Sequence, residues 1–169
     1  MKLLPAKWHS VVVLTGLLAY PAMPADMTYT STAGMPVTME VVGSCTVSAA
    51  DLNFGAYPSD SQIPALAQTT LTLTCSTGTV EVSLDAGTGL GRNTRNRSMN
   101  QDAGIDRLEY ELFQDAGRTL HWGDTSGVDT RDVLTTGQPQ TVNVYGRIPA
   151  GQRVRGGNYS DTITVTVQF

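Results

Sequence analysis

The stretch Tyr159-Ser160-Asp161-Thr162-Ile163-Thr164-Val165-Thr166-Val167-Gln168-Phe169 decides the fold. Tyr159, Ile163, Val165, Val167 and Phe169 share one parity, opposite Thr162, Thr164, Thr166 and Gln168. A two-residue period is that of a half-buried strand, and the β-branched content suits a pleated surface. Asp161 is the one polar residue on the apolar face. The same alternation recurs upstream in Thr69, Leu71, Leu73 and Cys75, in Val80, Val82 and Leu84, in Leu108, Tyr110 and Leu112, and in Val142 and Val144. Between these runs, residues 59–67 are predicted as loop and Gly87–Asp106 as a long loop or a pair of short edge segments. Thr119–Trp122 is predicted as a short strand, Gly123–Gly127 as a turn, and Gly151, Gly156 and Gly157 mark a tight return. Short strands bounded by turn residues, with no helical period, predict an all-β sandwich.

Composition agrees with one such domain. Of 169 residues about 15% are charged, with 17 Gly, against about a quarter charged in an average soluble domain. A net charge of −4 argues against a nucleic-acid binder, which needs a clustered basic face. Both lysines, Lys2 and Lys7, precede the apolar run Val11–Ala19, and Tyr20-Pro21-Ala22-Met23-Pro24-Ala25 follows it. That order of positive, apolar and small residues is expected of a secretory signal, residues 1–25. Cleavage after Ala22 is the alternative bond, and an uncleaved anchor is disfavoured because nine apolar residues are too few to span a bilayer. Loss of residues 1–25 removes both lysines and takes the net charge from −4 to −6. Export places Cys45 and Cys75, the only two cysteines, in an oxidising compartment, so their pairing has a single solution. Closing a loop of about 31 residues is worth roughly 3 to 4 kcal/mol in the chain-entropy model.

Two features of the pattern belong together. Met35, Val37, Met39 and Val41 alternate with Pro36, Thr38, Glu40 and Val42, predicting an amphipathic strand before the first cysteine, while the chain stops inside an apolar strand as though its neighbour were absent. The two fit if the strand of one copy completes the sheet of the next. The competing reading makes 35–41 the first strand of its own sandwich.

Several motifs carry a resemblance: Cys45-Thr46-Val47-Ser48 with Leu52-Asn53-Phe54-Gly55-Ala56-Tyr57, Tyr110–Asp115 with Trp122-Gly123-Asp124, Val144–Gln152, and Gly157–Phe169. In this order they resemble the spore coat U domain family, which includes pilin subunits of archaic chaperone-usher systems, from about residue 35 to the C-terminus. The resemblance implies an incomplete immunoglobulin-like β-sandwich over residues 43–169, preceded by an N-terminal extension, 26–42, that serves as donor strand. It implies that Met35, Val37, Met39 and Val41 are the donor residues, that Tyr159, Ile163, Val165, Val167 and Phe169 edge the acceptor groove, and that Cys45 pairs with Cys75. It implies as partners a periplasmic chaperone that lends a strand, an outer-membrane usher that exchanges it, and neighbouring pilin subunits. The expected product is a cell-surface pilus supporting adhesion or biofilm formation. A tip adhesin and a coat protein of resting cells are the alternatives.

Catalytic chemistry finds little footing. His121 is the one histidine after the signal segment, no GxSxG nucleophile motif accompanies it, and it is expected to be a half-exposed structural residue beside Trp122. Gly87-Thr88-Gly89-Leu90-Gly91 lacks the lysine of a phosphate loop and is expected to be a turn. Asp124, Asp129 and Asp132 miss the calcium-loop spacing and are expected to be solvated acids. Glu109 and Glu111 are expected to form a solvent-facing stripe. Arg92, Arg95 and Arg97, with Arg107 nearby, form the one basic cluster, either a contact for an acidic neighbour or a solvated loop. No catalytic, cofactor or metal site is therefore expected, and no enzyme.

Overall fold

The computed structural model describes residues 31–76, 78–89 and 93–169. The expected signal segment, residues 26–30 of the extension and Arg92 lie outside the described residues. The chain divides between Met39 and Glu40 into two units. Of the first, residues 31–39 are described, and they form neither helix nor strand.

The described residues of the second unit form nine strands: β1 Cys45–Ala49, β2 Ala65–Cys75, β3 Gly78–Leu84, β4 Arg97–Gln101, β5 Arg107–Phe113, β6 Arg131–Thr135, β7 Gln140–Ile148, β8 Tyr159–Ser160 and β9 Val165–Gln168. No helix occurs among the described residues. One sheet has the order β1-β2-β7-β5-β4-β8 and the other β6-β3-β9, every pair antiparallel. The inner faces are those of the sequence pattern: Leu71, Leu73, Val80, Val82, Leu84, Leu108, Tyr110, Leu112, Val142 and Val144 are all buried. Cys45 lies opposite Cys75 in the β1–β2 register, and the two form a disulfide. Two antiparallel sheets enclosing one apolar core make an immunoglobulin-like sandwich.

Several expectations are corrected. The amphipathic segment 35–42 is not a strand in this chain, and Met35, Val37, Met39 and Val41 are more than 80% exposed. A strand exists only by pairing, and among the described residues no other segment is hydrogen-bonded alongside it as a strand. β2 begins at Ala65, inside the expected loop, because it follows β7 down to Ile148. The expected strand 119–122 reduces to one bridge between Phe113 and His121. β6 went unforeseen: its pattern is weak because Arg131 and Asp132 precede the adjacent apolar pair Val133 and Leu134, and it lies at a sheet edge where Val133 and the polar, fully buried Thr135 face inward.

Arg97 is no surface residue. It is fully buried and donates to the carbonyls of Asp85 (2.7 Å), Thr94 (2.7 Å), Leu84 (2.8 Å) and Trp122 (3.0 Å). Burial lowers its pKa, and Tyr110, Asp85, Asp124 and Asp129 pull it back up. Arg95 remains exposed, so the basic cluster is split. Asp129 is likewise buried, not solvated: its Oδ1 accepts from Thr125 N–H (2.8 Å), while its backbone carbonyl accepts from Gly123 N–H (2.8 Å). Asp124 and Asp132 are exposed. Glu109 is exposed, whereas Glu111 accepts from Arg147 at 2.7 and 2.9 Å, and the Arg147 guanidinium stacks over Phe113.

Candidate functional site, an open groove along the C-terminal strand

The C-terminal run does not form one strand. β8 joins the larger sheet through β4, β9 joins the smaller through β3, and residues 161–164 cross between them. Asp161, the polar exception on the apolar face, is the reason. Its Oδ1 accepts from the Thr88 N–H and hydroxyl, both at 2.7 Å, and its Oδ2 accepts from the Tyr110 hydroxyl at 2.7 Å. Asp85 completes the tether by accepting from Thr164 N–H (2.9 Å) and donating its own N–H to the Thr164 carbonyl (3.1 Å). These bonds draw the middle of the run toward the β3–β4 loop and away from strand geometry. Burial, then the hydrogen bond to Asp161, pushes the Tyr110 phenol well above its ordinary pKa, so it stays a donor.

β9 pairs with β3 on one side, and no described strand pairs with its other side. β1 is the free edge of the opposite sheet. A groove of about 1000 Å³ opens where these edges end, at Ala49 of β1 and Val165 of β9. Its floor is apolar, with Leu71, Leu84, Met99, Leu108, Leu112 and Val144. One wall is the irregular segment after β1, where Leu52 and Phe54 lie against Gly146 so closely that a Cβ there would meet them at 2.6 to 2.9 Å. Phe54 also stands edge-on to Tyr110, centroids 6.2 Å apart. The other wall is Tyr159–Ile163 and Val165.

Of the five residues expected along the groove edge, Tyr159, Ile163 and Val165 line it. Val167 packs against the core beyond it. Phe169 is 67% exposed, its ring 3.1 Å from where a Cβ on Gly43 would stand. Met35, Val37, Met39 and Val41 stand exposed. The wall residues Leu52 and Phe54 and the floor residue Met99 were missed as site residues. The Leu52-Asn53-Phe54 motif was visible in the sequence, but its contact with Gly146 joins positions too far apart for any local pattern to reveal.

The remaining chemistry-bearing residues lie elsewhere. His121 is half-buried beside Trp122, with Nε2 2.6 Å from the Thr94 carbonyl and Nδ1 3.6 Å from Asp129 Oδ2. Burial lowers its pKa, so near neutral pH it is uncharged and its Nε2–H donates to Thr94. Among the described residues no group of three or more His, Cys, Asp or Glu is placed to hold a metal ion.

Comparison with known proteins agrees with this architecture. The Spore Coat Protein U domain model matches residues 31–166, and the chain belongs to that family. It is 31% identical over 174 aligned positions to Protein U of Myxococcus xanthus, covering 95% of this chain and 97% of the relative. Among solved structures it is similar to a chain of the CsuC–CsuE chaperone–tip adhesion subunit pre-assembly complex from archaic chaperone-usher Csu pili of Acinetobacter baumannii, with a TM-score of 0.57 and 25% identity over 76% of this chain. The match spans 40% of that neighbour's length.

Proposed function

We propose that this chain is a non-enzymatic structural subunit of a surface pilus, exported through the periplasm by a signal at residues 1–25 and assembled by donor-strand exchange. One observation carries the reading: a groove with an apolar floor opens beside the ends of two strands, β1 and β9, that each have an edge unpaired among the described residues, in a chain that also bears an exposed row of apolar residues, Met35, Val37, Met39 and Val41. Groove and row have complementary needs. A strand added to an open edge supplies main-chain hydrogen bonds, and its alternate side chains fill pockets. Four anchors at about 1.5 to 3 kcal/mol each give on the order of 6 to 12 kcal/mol before ordering costs, comparable to the whole stability of a domain.

The geometry also favours a polymer over a closed pair. Gly43, where the extension meets the sandwich, sits beside Phe169 at one end of the C-terminal run, whereas the groove wall at Tyr159 and Ser160 belongs to its other end. A copy whose extension fills the groove has its own body at the Tyr159 end and leaves its own groove free for a third copy. Such a head-to-tail contact does not close, and it propagates as a filament. An empty groove leaves an aggregation-prone edge, which is the need a periplasmic chaperone strand meets until an outer-membrane usher exchanges it for the incoming extension. Adhesion or biofilm formation is the role proposed for the resulting fibre.

The solved neighbour comes from a tip-adhesin complex, which favours a tip adhesin as second reading. A fibre-ending subunit has no groove ahead of it to fill, so the apolar extension favours the shaft or an adaptor. Electrophoresis of surface-sheared material without boiling tests the proposal. A ladder of SDS-resistant multimers, lost on deleting residues 35–42, is expected, and monomer alone overturns the polymer.

A further inference from the structure

We propose that Asp161 sets the register in which an incoming extension lies along the groove; this rests on the donor-strand reading above. Thr164 directs its N–H and C=O toward Asp85. Backbone groups alternate sides along an antiparallel strand, so within β9 Val165 and Val167 present theirs to the unpaired side. These residues also share the inward parity, being half-buried where Thr162, Thr164, Thr166 and Gln168 are exposed. Ladder and inward parity thus coincide on Val165 and Val167 of β9, and on the same sequence parity Ile163 and Asp161 precede them and Phe169 follows.

Asp161 ends the apolar run. Its carboxylate is occupied by Thr88, by Thr162 N–H (2.8 Å) and by the Tyr110 hydroxyl. An apolar side chain seated against it would exclude water from a charged group and return no hydrogen bond. A residue without a side chain avoids that conflict. On the extension, the four anchors Met35, Val37, Met39 and Val41 are followed on the same parity by Gly43.

The antiparallel alignment that sets Gly43 beside Asp161 places Val41 by Ile163, Met39 by Val165, Val37 by Val167 and Met35 by Phe169. Sliding two residues one way puts Val41 on the carboxylate. Sliding two the other way brings Cys45, tied to Cys75, into the groove and pushes Met35 past Phe169. Only the first alignment gives all four anchors an apolar neighbour.

Disulfide trapping reads the register directly. Thr38 and Thr166 lie opposite each other in it, both outward-facing and exposed. Thr166 directs its backbone groups to β3, so the pair is of the non-hydrogen-bonded kind, with Cα atoms about 4.5 Å apart, within disulfide reach. Thr38→Cys is combined in the full chain with Thr166→Cys, Thr164→Cys or Gln168→Cys, and sheared multimers are oxidised and boiled in SDS without reductant. The proposal expects a boil-resistant, reductant-sensitive ladder for the Thr166 pair and monomer for the other two. It also expects Asp161→Val, which lengthens the apolar row, to let cross-linking spread to the Thr164 pair. A boil-resistant ladder from the Thr164 or Gln168 pair in the chain with Asp161 intact overturns the register while leaving strand exchange standing, as does the absence of all three cross-links in material that still gives an unboiled ladder. Absence of the unboiled ladder from the parent chain means that the donor-strand reading itself fails, and the register with it.

Discussion

Val82 and Val167 stand opposite each other in the β3–β9 register, yet Val82 is fully buried and Val167 only half-buried. Both belong to alternating apolar rows with β-branched or polar residues between. The difference lies in their neighbours: β3 has β6 on one side and β9 on the other, while β9 has only β3. Burial in a sheet is therefore a property of the flanking strands as much as of the residue. An apolar row with one flank missing is the feature that the proposed donor strand would cover.

The sharpest way to break this contrast is to loosen the closed side. Arg97 joins the end of β3, Thr94 and Trp122 through four hydrogen bonds to main-chain carbonyls. Arg97→Met keeps the apolar stem and removes every donor. Orphaned buried acceptors cost about 1 to 3 kcal/mol each, and the expected loss is about 4 kcal/mol or more, read as a lower denaturation midpoint. A wild-type midpoint would show that water replaces the guanidinium at no cost, and that this end of the sandwich is no more fixed than the groove.

A paired substitution measures the contrast itself. Val82→Ala removes two methyls from a filled site, for an expected loss of about 2 kcal/mol or more. Val167→Ala removes the same atoms from a half-open one, for about 1 kcal/mol in the monomer. In SDS-resistant multimers the two costs should converge, because the added strand covers Val167. Equal costs already present in the monomer would mean that the β9 edge is not open in solution.

The closed side is also where the sequence was most legible. Period-two rows with strong β formers located β2, β3, β5 and β7, since each of these strands is buried on one face and flanked on both edges. β4 was obscured because its first two residues, Arg97 and Ser98, are polar yet fully buried, and the burial of Arg97 depends on carbonyls distant in sequence. β6 was obscured because an edge strand needs little apolar content. One side of the groove was legible in the apolar parity of Tyr159, Ile163 and Val165, but its other wall was not. Leu52 and Phe54 reach it through Gly146, more than ninety residues away, and only the folded chain brings them together. Asp161 was visible as a break in parity, while its meaning required Tyr110 and Thr88.

The smallest expected effect probes that break. Tyr110→Phe deletes the hydroxyl that holds Asp161 Oδ2 and leaves the ring against Phe54, for an expected loss of about 1 kcal/mol near neutral pH. Its pH dependence has a definite sign. Burial and the bond to Asp161 raise the folded phenol well above its ordinary value of about 10, so above that pH the unfolded chain releases a proton that the folded chain keeps. The stability contributed is fully present below about pH 10 and is lost as the pH rises beyond it. Stability of the parent chain should therefore fall more steeply than that of Tyr110→Phe above pH 10, and the two curves should close on each other. Parallel curves would mean that the hydroxyl already faces solvent, and that Asp161 lacks the anchor that bends the C-terminal run across the groove.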